Sequence, residues 1–261
     1  MSLNIKLHIK TGFKNSQTYL ETGYCTQPFK IANITEDKTK GDLQLMLMSS
    51  SPGILDGDNY DIKIELAEQS SLQLYTQSYQ RLFTMKNGAT QQFEAHLALH
   101  SSFIYLPHPL VPHESSHFMA QNNIYLSPQC TLIWGEVLTC GRKLNGEVFK
   151  FTKLHSLTNI YLNRRLMIKE NLFLEPQTIN LNALGQLEGY SHQASLIYLN
   201  ELADIAESNK KINHFLSQQK DIVFGISEPP LNGLIIRILG QKAEQLYDCL
   251  KVIASGLIIE F

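Results

Sequence analysis

The amino-acid sequence predicts a mainly β fold that closes with two α-helices. Short apolar or alternating segments recur through the first 200 residues, most with Gly, Pro, Ser or Asn close by. Several of them share a weak internal period of about 30 residues. From residue 196 the apolar spacing changes to that of helices.

Residues 4–10 (NIKLHIK) alternate polar and apolar side chains, so residues 1–13 read as a first strand rather than as the apolar centre of a signal peptide. Residues 60–66 (YDIKIEL) place Tyr60, Ile62, Ile64 and Leu66 on one face. Strand-like runs also cover residues 44–48, 72–76, 103–106, 123–126, 132–138, 148–151, 158–162 and 166–174. Such a series predicts an all-β sandwich, barrel or solenoid. Leu66-AEQSS-Leu72, Leu97-ALHSS-Phe103 and Leu126-SPQCT-Leu132 each set two apolar residues six apart around a small polar turn. Their starts lie 31 and 29 residues apart, the length that one solenoid coil of several short strands needs. Ordinary strand–turn–strand recurrence gives a similar pattern, so on this ground the sandwich and barrel stay open.

Further on, Leu199, Leu202, Ile205, Ile212 and Leu216 roughly follow helical spacing within residues 196–216. Ala243, Leu246, Leu250 and Ile253 form one stripe within residues 241–258, with Gly240 before it and Gly256 near its end. Residues 222–227 and 234–239 between them read as a strand pair. No linker separates this part. Residues 1–261 are therefore read as one domain, a β stack over about 1–195 and a helix-containing part over about 196–261.

At 43% hydrophobic and 18% charged residues the chain is globular. Its net charge of −2 offers no basic footprint for nucleic acid or an anionic membrane. No apolar run approaches the roughly 20 residues of a membrane span, so a cytoplasmic address is expected. Cys25, Cys130, Cys140 and Cys249 form no C-x-x-C pair and are expected to be reduced.

The sequence His113-Glu114-Ser115-Ser116-His117 fits H-E-x-x-H. On a helix the two histidines would share a face and hold a metal ion while Glu114 activates water, the basis of an alternative reading as a metal-dependent hydrolase. The surrounding prolines argue instead for an extended or turning segment, on which Glu114 points away from the histidines. The run Asp56-Gly-Asp58 before a clean strand is turn chemistry. There is no P-loop and no G-x-S-x-G, so nothing in the residues forces an enzyme.

Four short motifs stand in order: SPGILDGD from Ser51 to Asp58, Thr76-Gln77-Ser78, PHPLVPHESSHF from Pro107 to Phe118, and GEVLTCGR from Gly135 to Arg142, continued by Gly146-Glu147-Val-Phe149. Together they resemble the urease accessory protein family UreD, called UreH in some bacteria. Ser51, Pro52, Gly53, Gly57, Thr76, Gln77, Gly141, Arg142, Gly146 and Glu147 carry the likeness. Pro52 and Asp56 stand where the family's opening usually has glycines, and His113 and His117 stand where many relatives carry other residues. The resemblance implies a β-helix-like stack of short-stranded sheets with two C-terminal α-helices. It also implies a non-enzymatic scaffold for inserting nickel into apo-urease. The expected partners are a UreF-like protein, the GTPase UreG through it, and apo-urease subunits, with no permanent cofactor and nickel as a transient cargo passed through an internal tunnel.

A carboxylate inside a β core is costly unless it meets water or a cation. Three acids are therefore the expected nickel path: Asp58 at the end of its motif, Glu136 on the otherwise apolar run LIWGEVL, and Glu170 after LMIK. Their structural alternatives are a turn for Asp58 and ion pairs with Arg142 or Arg165 for the glutamates. His113 and His117 are weaker candidates for the same metal.

Overall fold

The computed structural model describes residues 4–259. The first three residues of the expected opening strand, and Glu260 and Phe261, lie outside that range. A hairpin of β1 (Asn4–Lys14) and β2 (Gln17–Cys25) leads into β3 (Phe29–Asn33). Three coils follow. The first joins β4 (Leu43–Ser49) through Ile54 to β5 (Asn59–Leu66). The second is β6 (Ser71–Thr76), β7 (Gln80–Leu82) and β8 (Ala89–Leu97), and the third β9 (Ser102–Leu106), β10 (Leu110–Pro112) and β11 (His117–Leu126). A less regular fourth coil runs from β12 (Thr131–Thr139) to β13 (Lys153–Leu162), and β14 (Arg165–Leu174) turns back on it. The chain ends with β15 (His192–Asn200), α1 (Ile205–Ser217), β16 (Ile222–Ser227), β17 (Gly233–Gly240) and α2 (Ala243–Ile259).

Successive coils pair in parallel. Sheet A has the order β14-β13-β11-β8-β5-β1-β2, and sheet B the order β16-β17-β15-β12-β9-β6-β4-β3. The repeat read from the sequence is the register of this stack: Leu66 pairs with Leu97 and Leu97 with Leu126 in sheet A, while Leu72 pairs with Phe103 and Phe103 with Leu132 in sheet B. A narrow third side aligns Ile54, Leu82 and Pro112. The polar turn between each pair repeats as well. Gln69, His100 and Gln129 all take left-handed backbone, at φ 62°, 58° and 58°. The residue after each is small and buried. Ser70 Oγ donates to Ala67 O at 2.8 Å, Ser101 Oγ to Ala98 O at 2.6 Å, and Cys130 Sγ to Ala98 O at 3.0 Å, which ties each turn to itself or to the turn below.

The inner faces of the two sheets enclose the main core, where the Phe93 ring meets Trp134 edge-on at 5.0 Å and Tyr105 at 5.1 Å. The other face of sheet B carries Ile104, Ile133, Leu196 and Ile236, and these pack against Leu246, Leu250 and Ile253 of α2. The central strands of sheet B, β12, β15 and β17, are thus buried on both faces. This explains why residues 196–199 misled the sequence reading. A strand covered on both sides is a continuous apolar run, and Leu196 and Leu199 belong to β15, with α1 starting only at Ile205. The α2 stripe fell as expected, but it seals the β stack and is not available to a partner. Residues 148–151, expected to be a strand, form a bend in which Phe149 has a φ of 53°. Several strands escaped the sequence reading, among them β2, β3 and β8.

The corner after β12 needs glycine. Gly141 has a φ of 118°, and a Cβ there would lie 2.7 Å from Glu147 O and 2.8 Å from Pro112 O. Gly146 has a φ of 75° with open space around it. Gly141→Ala is therefore expected to cost roughly 2 kcal/mol or more and Gly146→Ala about 1 kcal/mol. Urea denaturation of the two variants checks the order; equal losses would contradict it.

Candidate functional site

A polar layer crosses the core between β11–β14 and β12–β17. In sheet A, Asn122, Thr158 and Glu170 occupy one register row across β11, β13 and β14. In sheet B, Glu136, Ser195 and Arg237 occupy another across β12, β15 and β17. All sit at inward positions of their strands, flanked by core residues such as Ile124, Ile160, Trp134 and Ile197. Asn122 Nδ2 donates to Thr158 Oγ1 at 2.9 Å and to Glu136 Oε1 at 3.5 Å, and Ser156 Oγ donates to Glu136 Oε1 at 3.3 Å. Among the described residues no cation pairs with Glu136. Burial pushes its pKa up to about 7; the Ser156 hydrogen bond opposes this and the charge of Glu170 adds to it.

Glu136 lines a cavity of about 70 Å³ together with Asn122, Trp134, Ser156, Tyr105 and Leu172. Asn122 Oδ1 is buried in its wall with no hydrogen-bond partner among the described residues, while the Trp134 indole N–H lies toward the Glu136 carboxyl and, like Ser156, favours its charged form. Buried polar atoms of this kind are normally met by ordered water, and a space of this size has room for it. The cavity adjoins two others. Through Gln80, Gln91 and Tyr105 it borders a space of about 80 Å³ lined by Ser51, Pro52, Gly53, Thr76 and Gln77. Through Leu172 it borders a cleft of about 350 Å³ between β14 and β17, where Glu170 and Arg237 meet.

The sequence matches the family described as UreD urease accessory protein over residues 4–257. The chain belongs to the UreD urease accessory protein family. It is 48% identical to the urease accessory protein UreD of Flavobacterium johnsoniae, over 97% of this chain and 92% of that one. The UreD of Acetivibrio thermocellus is 35% identical over 97% of this chain and 96% of its own length. A Haemophilus influenzae UreD is 38% identical over 94% and 95%. The coarse role that follows is that of an accessory protein to urease.

Apart from Gly57, the residues that carried the UreD likeness divide into two groups. Ser51, Pro52, Gly53, Thr76 and Gln77 wall the first space, where Gly53 allows β7 to approach: a Cβ there would lie 2.4 Å from Arg81 O. Gly141, Arg142, Gly146 and Glu147 build the corner beside the H-E-x-x-H segment. Arg142 forks onto Glu147, with Nε to Oε2 at 2.9 Å, and this hydrogen bond holds the Glu147 carboxyl below its usual range. Glu147 Oε2 also accepts from Glu114 N at 3.1 Å, which pins the segment as a turn. His113 is buried against the Phe83 ring at 4.8 Å, and burial keeps its pKa low. His117 starts β11. Among the described residues no three His, Cys, Asp or Glu side chains converge on a point that could hold a metal. The helical geometry that a hydrolase would need is absent from this segment.

Asp58 follows its structural alternative: it accepts from Leu55 N at 2.9 Å and from Tyr60 Oη at 3.2 Å. Gly57 beside it turns the chain at φ 82°. Glu170 pairs with Arg237, not with Arg142 or Arg165 as the sequence reading allowed. Asn122, Ser156 and Arg237 went unnoticed in the sequence, although each is a polar residue at an inward position of an alternating strand. Folded and unfolded Glu136 differ in proton affinity, from about 7 to the ordinary carboxylate value of 4.5. The folded protein holds the proton more tightly, so it loses stability as pH rises from 4.5 through 7. Glu136→Gln should stabilise the protein at about pH 8 by on the order of 3 kcal/mol and leave it unchanged near pH 4. Denaturation at the two pH values measures this.

Proposed function

We propose that this protein is a non-enzymatic scaffold for urease maturation that passes nickel through its interior to apo-urease. One observation carries the reading: Glu136, a carboxylate that no cation pairs with among the described residues, faces a cavity in whose wall Asn122 Oδ1 lacks a hydrogen-bond partner among those residues. Nickel travels best among oxygen and nitrogen ligands. Charged Glu136 and Asn122 Oδ1 offer two oxygens, and cavity water supplies more. An ion arriving at neutral pH displaces the proton that burial keeps on Glu136, so loading and proton release are coupled. Glu170 receives the ion at the cleft. Asp58, held in its turn, drops out of this path, and His113 and His117 have no part in it.

The partners in this reading are a UreF-like protein, UreG recruited through it, and apo-urease subunits, with nickel as cargo and no resident cofactor. No helix among the described residues is long and apolar enough to cross a membrane, which fits the cytoplasmic address proposed here. The buried stripes of α1 and α2 do not supply the contact with a UreF-like partner, so that contact uses what the helices leave exposed, such as Val252 and Ile258.

Coexpression with urease at limiting nickel tests the path. Glu136→Ala, and more strongly Glu136→Ala with Glu170→Ala, should still copurify with the UreF-like protein yet lower urease activity several-fold. Full activation by the double variant would refute the nickel route. Loss of copurification with wild-type protein would refute the scaffold role.

A further inference from the structure

The layer between the sheets holds two carboxylates and one guanidinium. Arg237 Nη2 reaches Glu170 Oε1 at 2.5 Å and Oε2 at 2.7 Å, so both oxygens of Glu170 are occupied. The pair joins β14 of sheet A to β17 of sheet B across the cleft that borders the Glu136 cavity. Its two ends differ. The Glu170 side chain is 20% exposed and that of Arg237 53% exposed, so the cation can swing into solvent while the acid stays. Arg237 lies in the same register row as Glu136, two strands away, with Ser195 between them.

A passage for a divalent cation has two requirements that conflict. Unpaired carboxylates draw the ion in, but two of them with a buried amide oxygen would hold it and stop delivery. A tethered guanidinium resolves the conflict. It covers Glu170 when no ion is present, it repels an ion that stays, and it refills the acid as the ion leaves. We propose that Arg237 is the release element of this path, a built-in counter-cation that competes with nickel for Glu170. The proposal rests on the nickel-passage reading above and adds to it the residue that keeps passage from becoming capture.

Nickel binding by the full-length protein, measured by equilibrium dialysis with nickel chloride, gives the first readout. Urease activation at limiting nickel gives the second. Arg237→Gln should bind nickel roughly ten-fold more tightly than the wild type, because one positive charge beside a divalent ion has gone. It should nevertheless activate urease less well. Arg237→Lys keeps the charge as an ammonium in place of the planar guanidinium and should fall between the two. Adding Glu170→Gln to Arg237→Gln should return binding to the wild-type value or below.

The outcomes separate the two readings. If Glu136→Ala weakens binding but Arg237→Gln and Arg237→Lys bind as the wild type does, the release role is wrong and the nickel path stands. Tighter binding by Arg237→Gln with unchanged binding by Glu136→Ala upholds the counter-cation role of Arg237 at Glu170 and removes Glu136 from the path. No change in any variant overturns both. Should Arg237→Gln fail to fold, the lysine variant decides: wild-type binding and activation by it would overturn the proposal.

Discussion

Parallel, in-register pairing of successive coils is the constraint on which the rest of the structure depends. Because residues 31 and 29 apart lie directly over one another, every coil must repeat the same order of inward and outward side chains. A one-residue slip would turn Leu66, Leu97 and Leu126 out of the core together. The turns enforce the register. Ser70, Ser101 and Cys130 are small enough to be buried one above another, and their hydrogen bonds to turn carbonyls fix where each coil bends. The same stacking brings polar residues into rows. Once Asn122 points inward, Thr158 and Glu170 beside it share its layer, and the acid on β12 meets them from the opposite sheet.

Such a layer inside an apolar core is unfavourable unless its groups find partners, and here partners are found in three ways. Thr158 and Asn122 satisfy each other in part, Glu170 takes Arg237, and Glu136 keeps a proton near neutral pH. Each arrangement is reversible. A proton can leave and a half-exposed guanidinium can move. A core built only for stability would place apolar residues at these positions, as β8 does with Phe93, which pairs with Asn122 in the same row. In the reading proposed above, this departure from a stable core is what an interior route for a cation requires.

Much of this was legible in the sequence, and the limits were physical. The 31 and 29 spacing of Leu66, Leu97 and Leu126 was the true coil period. Glu136 stood out because a charged residue interrupted an apolar strand. The bend at the H-E-x-x-H segment followed from its prolines. What stayed hidden was whatever depends on which strands are neighbours. Arg237 and Glu170 are 67 residues apart and belong to different sheets, so no local pattern joins them. Strand β15 looked helical because both its faces are covered, and β8 (ATQQFEAHL) looked unremarkable because its outer face is polar. Val148 and Phe149 had strand chemistry, but the Gly141 corner and the Arg142–Glu147 fork impose a bend there.

The account's central claim is that the layer around Glu136 is hydrated and accepts a divalent cation when Glu136 is charged. Crystals of the protein soaked in nickel at about pH 8, above the range where Glu136 keeps its proton, test it most directly. Diffraction recorded at the nickel absorption edge should show an anomalous peak within coordinating distance of Glu136 and Asn122 Oδ1, with ordered water completing the shell. A cavity that stays free of water and metal, with nickel bound only at surface histidines, would contradict the account.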